Sequence, residues 1–190
     1  MKTVLFIPGF REDMESRNYR STLAAIERKG YAVKFVPIRW ARTTINDWVK
    51  ELNAEYSKHD PAETILAGFS YGSMTAFMAA VNKNPSELWL FSFSPYFSDD
   101  MPGIKKSWLS NIGRHRADSF RKLDFSTLAK SITCKTLLMV GEIEAAKYPL
   151  LNKRTKQAHQ KIANSNLIVV KGAGHDVADK NYIAAIKGAI

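Results

Sequence analysis

The sequence predicts an α/β fold: a three-layer sandwich in which a mostly parallel, six-stranded sheet is flanked by helices. Three observations predict it. Short apolar runs of strand length recur along the chain, and amphipathic stretches with helical spacing separate them. Several of the runs are continuously apolar, as strands covered on both faces must be. At 190 residues the chain has the length of one domain, enough to bury roughly 70% of the surface its unfolded form exposes. No internal repeat and no low-complexity tract breaks the alternation.

The elements follow in order. Thr3 to Ile7 is the first strand and ends in I-P-G-F at 7 to 10. Tyr19, Leu23 and Ile26 recur at helical spacing, and Ala32 to Pro37 is the second strand. Ile45, Trp48, Leu52 and Tyr56 mark a second helix, for which Thr44 and Asp47 supply an N-terminal capping box. Thr64 to Phe69 is the third strand and runs into G-F-S-Y-G at 68 to 72, followed by an alanine-rich helix over Thr75 to Asn82. Leu88 to Phe93 is the fourth strand. Residues 96–123 read as an irregular, basic insertion that holds Pro102, Gly103, Trp108, Leu109 and Gly113. A helix over 124–132, the fifth strand over Thr136 to Val140, a helix over 152–164, the sixth strand over Asn166 to Val170 and a helix over 179–189 complete the chain. The whole of 1–190 is expected to be one domain, with 96–123 as a short insertion or lid.

Composition narrows the function classes. Hydrophobic residues make up 45% and charged residues 24%, ordinary values for a soluble globular protein. No apolar run is long enough to span a membrane. The start, MKTVLFIPGF, reads as a first strand and not as a signal peptide, because charged residues follow at once. The single cysteine, Cys134, excludes an internal disulfide framework and fits a reducing compartment, so the expected location is cytoplasmic. The thiol is expected to be buried and inert. The formal charge is +10, with the excess densest in KKSWLSNIGRHRADSFRK at 105 to 122. Such a field attracts anions, yet no zinc-finger spacing, basic heptad or RNA-binding aromatic signature accompanies it, and nucleic acid is not the expected partner.

The chemistry starts from Ser70. It falls between two glycines where the third strand gives way to a helix, so Gly68 and Gly72 leave room for a sharp turn that presents Oγ at the sheet edge. The competing reading is a packing turn with an incidental serine. A hydroxyl needs a base to become a nucleophile. Of four histidines, His59 reads as a surface turn, His115 is flanked by Arg114 and Arg116, and His159 lies on a helix. His175 instead emerges from the glycine-rich loop V-V-K-G-A-G-H-D, at the same carboxyl edge as Ser70. An acid must orient the imidazole. The fifth strand ends in G-E-I-E, which offers Glu144 as the preferred acid and Glu142 as an alternative. Asp99 and Asp100, after the fourth strand, remain further alternatives. Oxyanion stabilisation needs backbone N–H groups: Tyr71, just past Ser70, supplies one, and Phe10 supplies the second if the first and third strands are neighbours. Tyr96, Phe97 and Trp108 are the expected pocket residues.

Four ordered pieces, I-P-G-F, G-F-S-Y-G, G-E-I-E and G-A-G-H, resemble the α/β-hydrolase fold over nearly the whole chain. That resemblance implies Ser70 as nucleophile, Glu144 as acid, His175 as base, and Phe10 and Tyr71 as oxyanion donors. It also implies a minimal version of the fold, since the chain begins at what looks like the third strand of the family.

The expected reaction is hydrolysis of a carboxylic ester or thioester through an acyl-enzyme, on a small-molecule substrate with an anionic part that Lys105, Lys106, Arg114 and Arg116 would favour. No metal and no organic cofactor is expected, because HExxH, clustered Cys/His and phosphate-loop patterns are absent. Two other classes stay open: a hydrolase-like protein that binds a ligand without turnover, and an interaction protein that uses the basic surface.

Overall fold

The computed structural model describes residues 1–190. Six strands form one all-parallel sheet: β1 (Thr3–Ile7), β2 (Ala32–Phe35), β3 (Thr64–Phe69), β4 (Glu87–Phe91), β5 (Lys135–Gly141) and β6 (Ser165–Val170). Their order is β2-β1-β3-β4-β5-β6, so β1 and β3 are neighbours, with Ile7 opposite Gly68. The crossovers are helical. They comprise α1 (Tyr19–Glu27), α2 (Ile45–Tyr56), α3 (Tyr71–Lys83), α4 (Lys106–Ile112), α5 (Arg114–Phe120), α6 (Phe125–Lys130), α7 (Glu142–Lys147) and α8 (Pro149–Lys161), and α9 (Lys180–Ala189) closes the chain. No helix is long and apolar enough to cross a membrane.

Strand side chains alternate between faces, and two cores result. Val4, Phe6, Ile65, Phe69, Phe91 and Met139 face α1 and α9, where Tyr19, Leu23, Ile26, Tyr182 and Ile186 meet them. Leu5, Ile7, Leu66, Leu90 and Leu138 face the other way, onto α2, α3, α5, α6 and α8. The anticipated capping box of α2 is present: the Thr44 N–H donates to Asp47 at 2.8 Å.

The sheet differs from the sequence reading at its ends. β2 stops at Phe35 and β4 at Phe91, each short of the apolar run. In the second case Ser92 takes a left-handed φ of 53°, which turns the chain out of the strand. The segment 96–123 is irregular only in its first part, a loop with one 3-10 turn at Met101–Gly103. The rest folds as two short helices, α4 and α5, separated by Gly113 with φ 86°. Their interior side chains, Ile112, Ala117 and Phe120, join the larger core. Cys134 is half-buried, with burial raising its thiol pKa.

Candidate active site

The turn at Ser70 is built by exclusion of side chains. A Cβ on Gly68 would lie 2.3 Å from the Gly72 carbonyl, and one on Gly72 would lie 2.2 Å from the Ile7 carbonyl oxygen and 2.3 Å from that of Pro8. No larger residue lets β1, β3 and α3 converge this closely. Ser70 itself caps α3 at φ 56° and ψ −117°, a conformation that L residues avoid and that a rigid surrounding must hold. Its N–H donates to Phe91 O at 2.9 Å, and its carbonyl accepts from Ser73 Oγ at 2.7 Å. The Oγ is 3.5 Å from Ser94 Oγ.

His175 follows β6 and lies on the same cleft. Its Nδ1 is hydrogen-bonded to Glu144 Oε1, and its ring packs on Phe69 with centroids 4.7 Å apart. Glu144 is 1% exposed. Its other oxygen, Oε2, accepts from Ser92 Oγ at 2.7 Å and from the Gly141 N–H at 3.1 Å. The buried carboxylate is thus satisfied on both oxygens, as a charge in an apolar interior must be. Ser92 Oγ is also 3.3 Å from Tyr182 Oη, which donates to Met139 O at 2.9 Å. Burial, and then the charge of Glu144, push the Tyr182 phenol far up. Ser70 Oγ and His175 share the cleft without a hydrogen bond between them.

The other candidate acids are engaged elsewhere. Glu142 Oε2 accepts from the Gly172 N–H at 2.9 Å, bracing the loop before His175. Asp100 and Asp99 accept from Arg154 Nε and Nη2 at 2.9 and 2.8 Å. Arg154 is 1% exposed and stacks over Phe125 at 4.0 Å. Nothing in the sequence marks Arg154, because α8 reads as a polar helix, where an arginine in KRTKQ looks like a solvated charge.

In the loop after β1, the Gly9 N–H donates to Tyr19 Oη at 2.9 Å and to Glu12 Oε2 at 3.1 Å. The next amide, of Phe10, donates to no protein acceptor. Tyr71 begins α3, so its N–H has no carbonyl within the helix to reach. The Phe10 and Tyr71 rings lie 5.0 Å apart, which puts the two amides' residues side by side across β1 and β3.

The cleft over Ser70 has a volume of about 690 Å³, and Tyr96, Ile104, Trp108, Tyr148 and Leu150 supply its apolar wall, with Lys105 and Lys147 beside them. Tyr96 and Trp108 are where the sequence placed them. Phe97 is not: it is fully buried among Phe77, Phe93 and Phe125. The wall from α7 and α8, Tyr148 to Leu151, was missed, because Y-P-L-L carries no motif. Desolvation raises the pKa of both Tyr71 and Tyr96, so both line the cleft as neutral phenols.

No protein-family model and no curated protein matches the sequence. Solved structures do. Est1E from Butyrivibrio proteoclasticus matches with a TM-score of 0.79 at 15% identity, over 99% of this chain and 84% of that one. It is also known with ferulic acid bound. MenH from S. aureus matches at 0.71 and 17% identity, over 98% and 92% of the two chains. The thioesterase domain from the curacin biosynthetic pathway matches at 0.69 and 14% identity, over 98% and 90%. The strand order, the turn at Ser70 and these likenesses together show that the chain has the α/β-hydrolase fold.

Proposed function

We propose that the protein is a serine hydrolase acting on carboxylic esters or thioesters, with Ser70 as nucleophile, His175 as base and Glu144 as the orienting acid. One observation carries the reading. A serine held in a strained turn and a histidine oriented by a buried, doubly braced carboxylate open onto the same cleft.

Glu144 accepts a hydrogen bond from the Nδ1–H of His175, which fixes the tautomer and leaves Nε2 as the free base. Ser70 Oγ turns from Ser94 toward Nε2, a rotamer change of the kind substrate binding induces. Oγ attacks the acyl carbon as its proton passes to Nε2. The oxyanion that forms lies against the Phe10 and Tyr71 amides, and each such donor contributes about 3 kcal/mol of transition-state stabilisation. Nε2 then gives the proton to the departing alkoxide or thiolate. Water repeats the sequence on the acyl-enzyme, with its proton going to Nε2 and then to Ser70 Oγ, which frees the acid.

The cleft favours an apolar or aromatic acyl group between Tyr96, Trp108 and Tyr148, with Lys105 and Lys147 placed for an anionic substituent. Ferulic acid on Est1E and the thioesterase among the neighbours point the same way. Residues 96–123 then act as a short lid, since Gly103, Ile104, Lys105 and Trp108 all border the cleft.

The test is labelling with a fluorophosphonate, read by intact mass and peptide mapping. A single adduct on Ser70, absent in Ser70→Ala and in His175→Ala, is the expected result. A folded wild-type protein that neither labels nor turns over a panel of aryl and acyl esters and thioesters sinks the proposal.

A further inference from the structure

A second cleft, also of about 690 Å³, shares no lining residue with the first. Arg11, Arg39, Arg42, Arg114 and Arg116 surround it, with His115 beside them. Phe10 touches residues of both clefts: its ring packs on Tyr71, and the guanidiniums of Arg11 and Arg116 each lie 5.0 Å from its centroid.

Two acids, Glu12 and Asp13, line this cleft among the five arginines, and neither they nor the acids close by pair with Arg11, Arg42 or Arg116. Glu12 pairs with Arg17 and accepts from Tyr19. Asp13 accepts from Ser16 Oγ and from the N–H groups of Glu15 and Ser16. Asp47 caps α2 through Thr44. Glu51 reaches Arg39 at 3.5 Å, and Asp118 reaches Arg114 at 3.9 Å. That leaves Arg11 and Arg42 with no carboxylate partner.

Arg116 has none either. It donates only to backbone carbonyls, of Thr43 and Ile112 at 2.9 Å and of Trp40. Burial, with the nearby charge of Arg11, lowers its pKa, as expected where like charges gather without an anion. Arg11 and Arg42 also hold left-handed backbone, at φ 61° and 58°. Trp40, in the cleft wall and 6% exposed, keeps a buried indole N–H with no partner. Mutual repulsion of the guanidiniums and left-handed backbone at two of them converge on one place, and an oxyanion in the cleft would relieve the repulsion.

We propose that this cleft binds the phosphate, or linked phosphates, of a small molecule. Three guanidiniums without an ion-pair partner exceed what the one unpaired carboxylate of the lining, Asp13, neutralises, whereas a phosphate ester carries close to two charges and matches the guanidinium fork. The volume exceeds that of a single phosphate. A nucleic-acid strand is the poorer fit, because the lining has no Phe or Tyr and its one indole, Trp40, is buried and offers no face for base stacking.

The experiment is calorimetric titration of the full chain with inorganic pyrophosphate and with ADP, on wild type, Arg11→Ala, Arg42→Ala and Ser70→Ala. Both probes should bind saturably, with affinity falling about tenfold in either arginine variant, the scale of one charge-assisted hydrogen bond. Ser70→Ala should bind as wild type does, so the outcome is independent of the hydrolase reading. ADP binding more tightly than pyrophosphate would assign the site to phosphate carried on an organic group, and equal affinity would assign it to the phosphates alone. Thermal melts check folding, and Arg42→Gln replaces any alanine variant that does not fold. No saturable binding by wild type, or undiminished binding by the folded arginine variants, overturns the proposal. So does Arg42-dependent binding of a single-stranded oligonucleotide in preference to both probes.

Discussion

Arg17 and His175 lie 158 positions apart, and the Arg17 guanidinium donates from Nη1 to the carbonyl oxygen of His175 at 2.9 Å. The same guanidinium pairs through Nε with Glu12, whose carboxylate also receives Tyr19 Oη and the Gly9 N–H. One side chain therefore ties the loop that carries Phe10 to the loop that carries His175. It lies 5.5 Å over the ring of Phe69, the residue before Ser70.

Arg17→Ala should lower kcat by about tenfold to a hundredfold, the scale of a small misplacement of reacting groups, with KM little changed. Arg17→Lys should restore part of the loss, since one donor still reaches either partner. Steady-state kinetics with active-site titration separates this from a simple loss of folded protein. An unchanged kcat in folded Arg17→Ala rules out a positioning role.

Glu144→Gln should reduce kcat by roughly 10³–10⁴, because the amide no longer holds the imidazole in the useful tautomer. Ser92→Ala acts through Glu144. It deletes the 2.7 Å donor to Oε2 and should destabilise the fold by about 1–3 kcal/mol by leaving a buried acceptor short of a partner. Urea unfolding and kinetics on both variants check the pair. Equal kcat in Glu144→Gln and wild type would remove Glu144 from the mechanism.

Arg154→Leu strands the buried Asp100 and should cost about 3–5 kcal/mol in a urea melt. Asp100→Asn should weaken the fold less and leave kcat per titrated active site unaltered, since Asp100 faces Arg154 and not His175. A collapse of kcat in folded Asp100→Asn would reinstate it as the acid.

Lys34, Lys58 and His59 together hold the Glu55 carboxyl down to about 2. Its folded value is below the unfolded one of 4.5, so the stabilisation is complete above the unfolded value and fades as pH falls toward the folded one. Glu55→Gln should therefore destabilise the protein by up to about 1 kcal/mol at neutral pH and low salt, the range of exposed ion pairs. The difference from wild type should shrink between pH 4.5 and about 2. Thermal melts across that window provide the check, and a difference that grows on acidification contradicts it.

The fold was legible in the sequence for local reasons. Strand length, apolar continuity and helical spacing are properties of neighbouring residues, and they located every strand and the capping box at Thr44 and Asp47. G-F-S-Y-G announced its turn because only glycine fits where Gly68 and Gly72 touch backbone. What depended on distant partners was not legible. Phe97 looked like a pocket aromatic until packing with Phe77 and Phe125 placed it in the core. Asp99 and Asp100 stay open behind Glu144 as alternative acids in the sequence, and only the structure shows them paired with Arg154, from a helix of polar appearance. Ser92, Arg17 and the arginine cleft carry no pattern, since each is defined by contacts between segments far apart in the chain. Periodicity reports which face a side chain takes, whereas only the closed structure decides which charges and hydroxyls meet there.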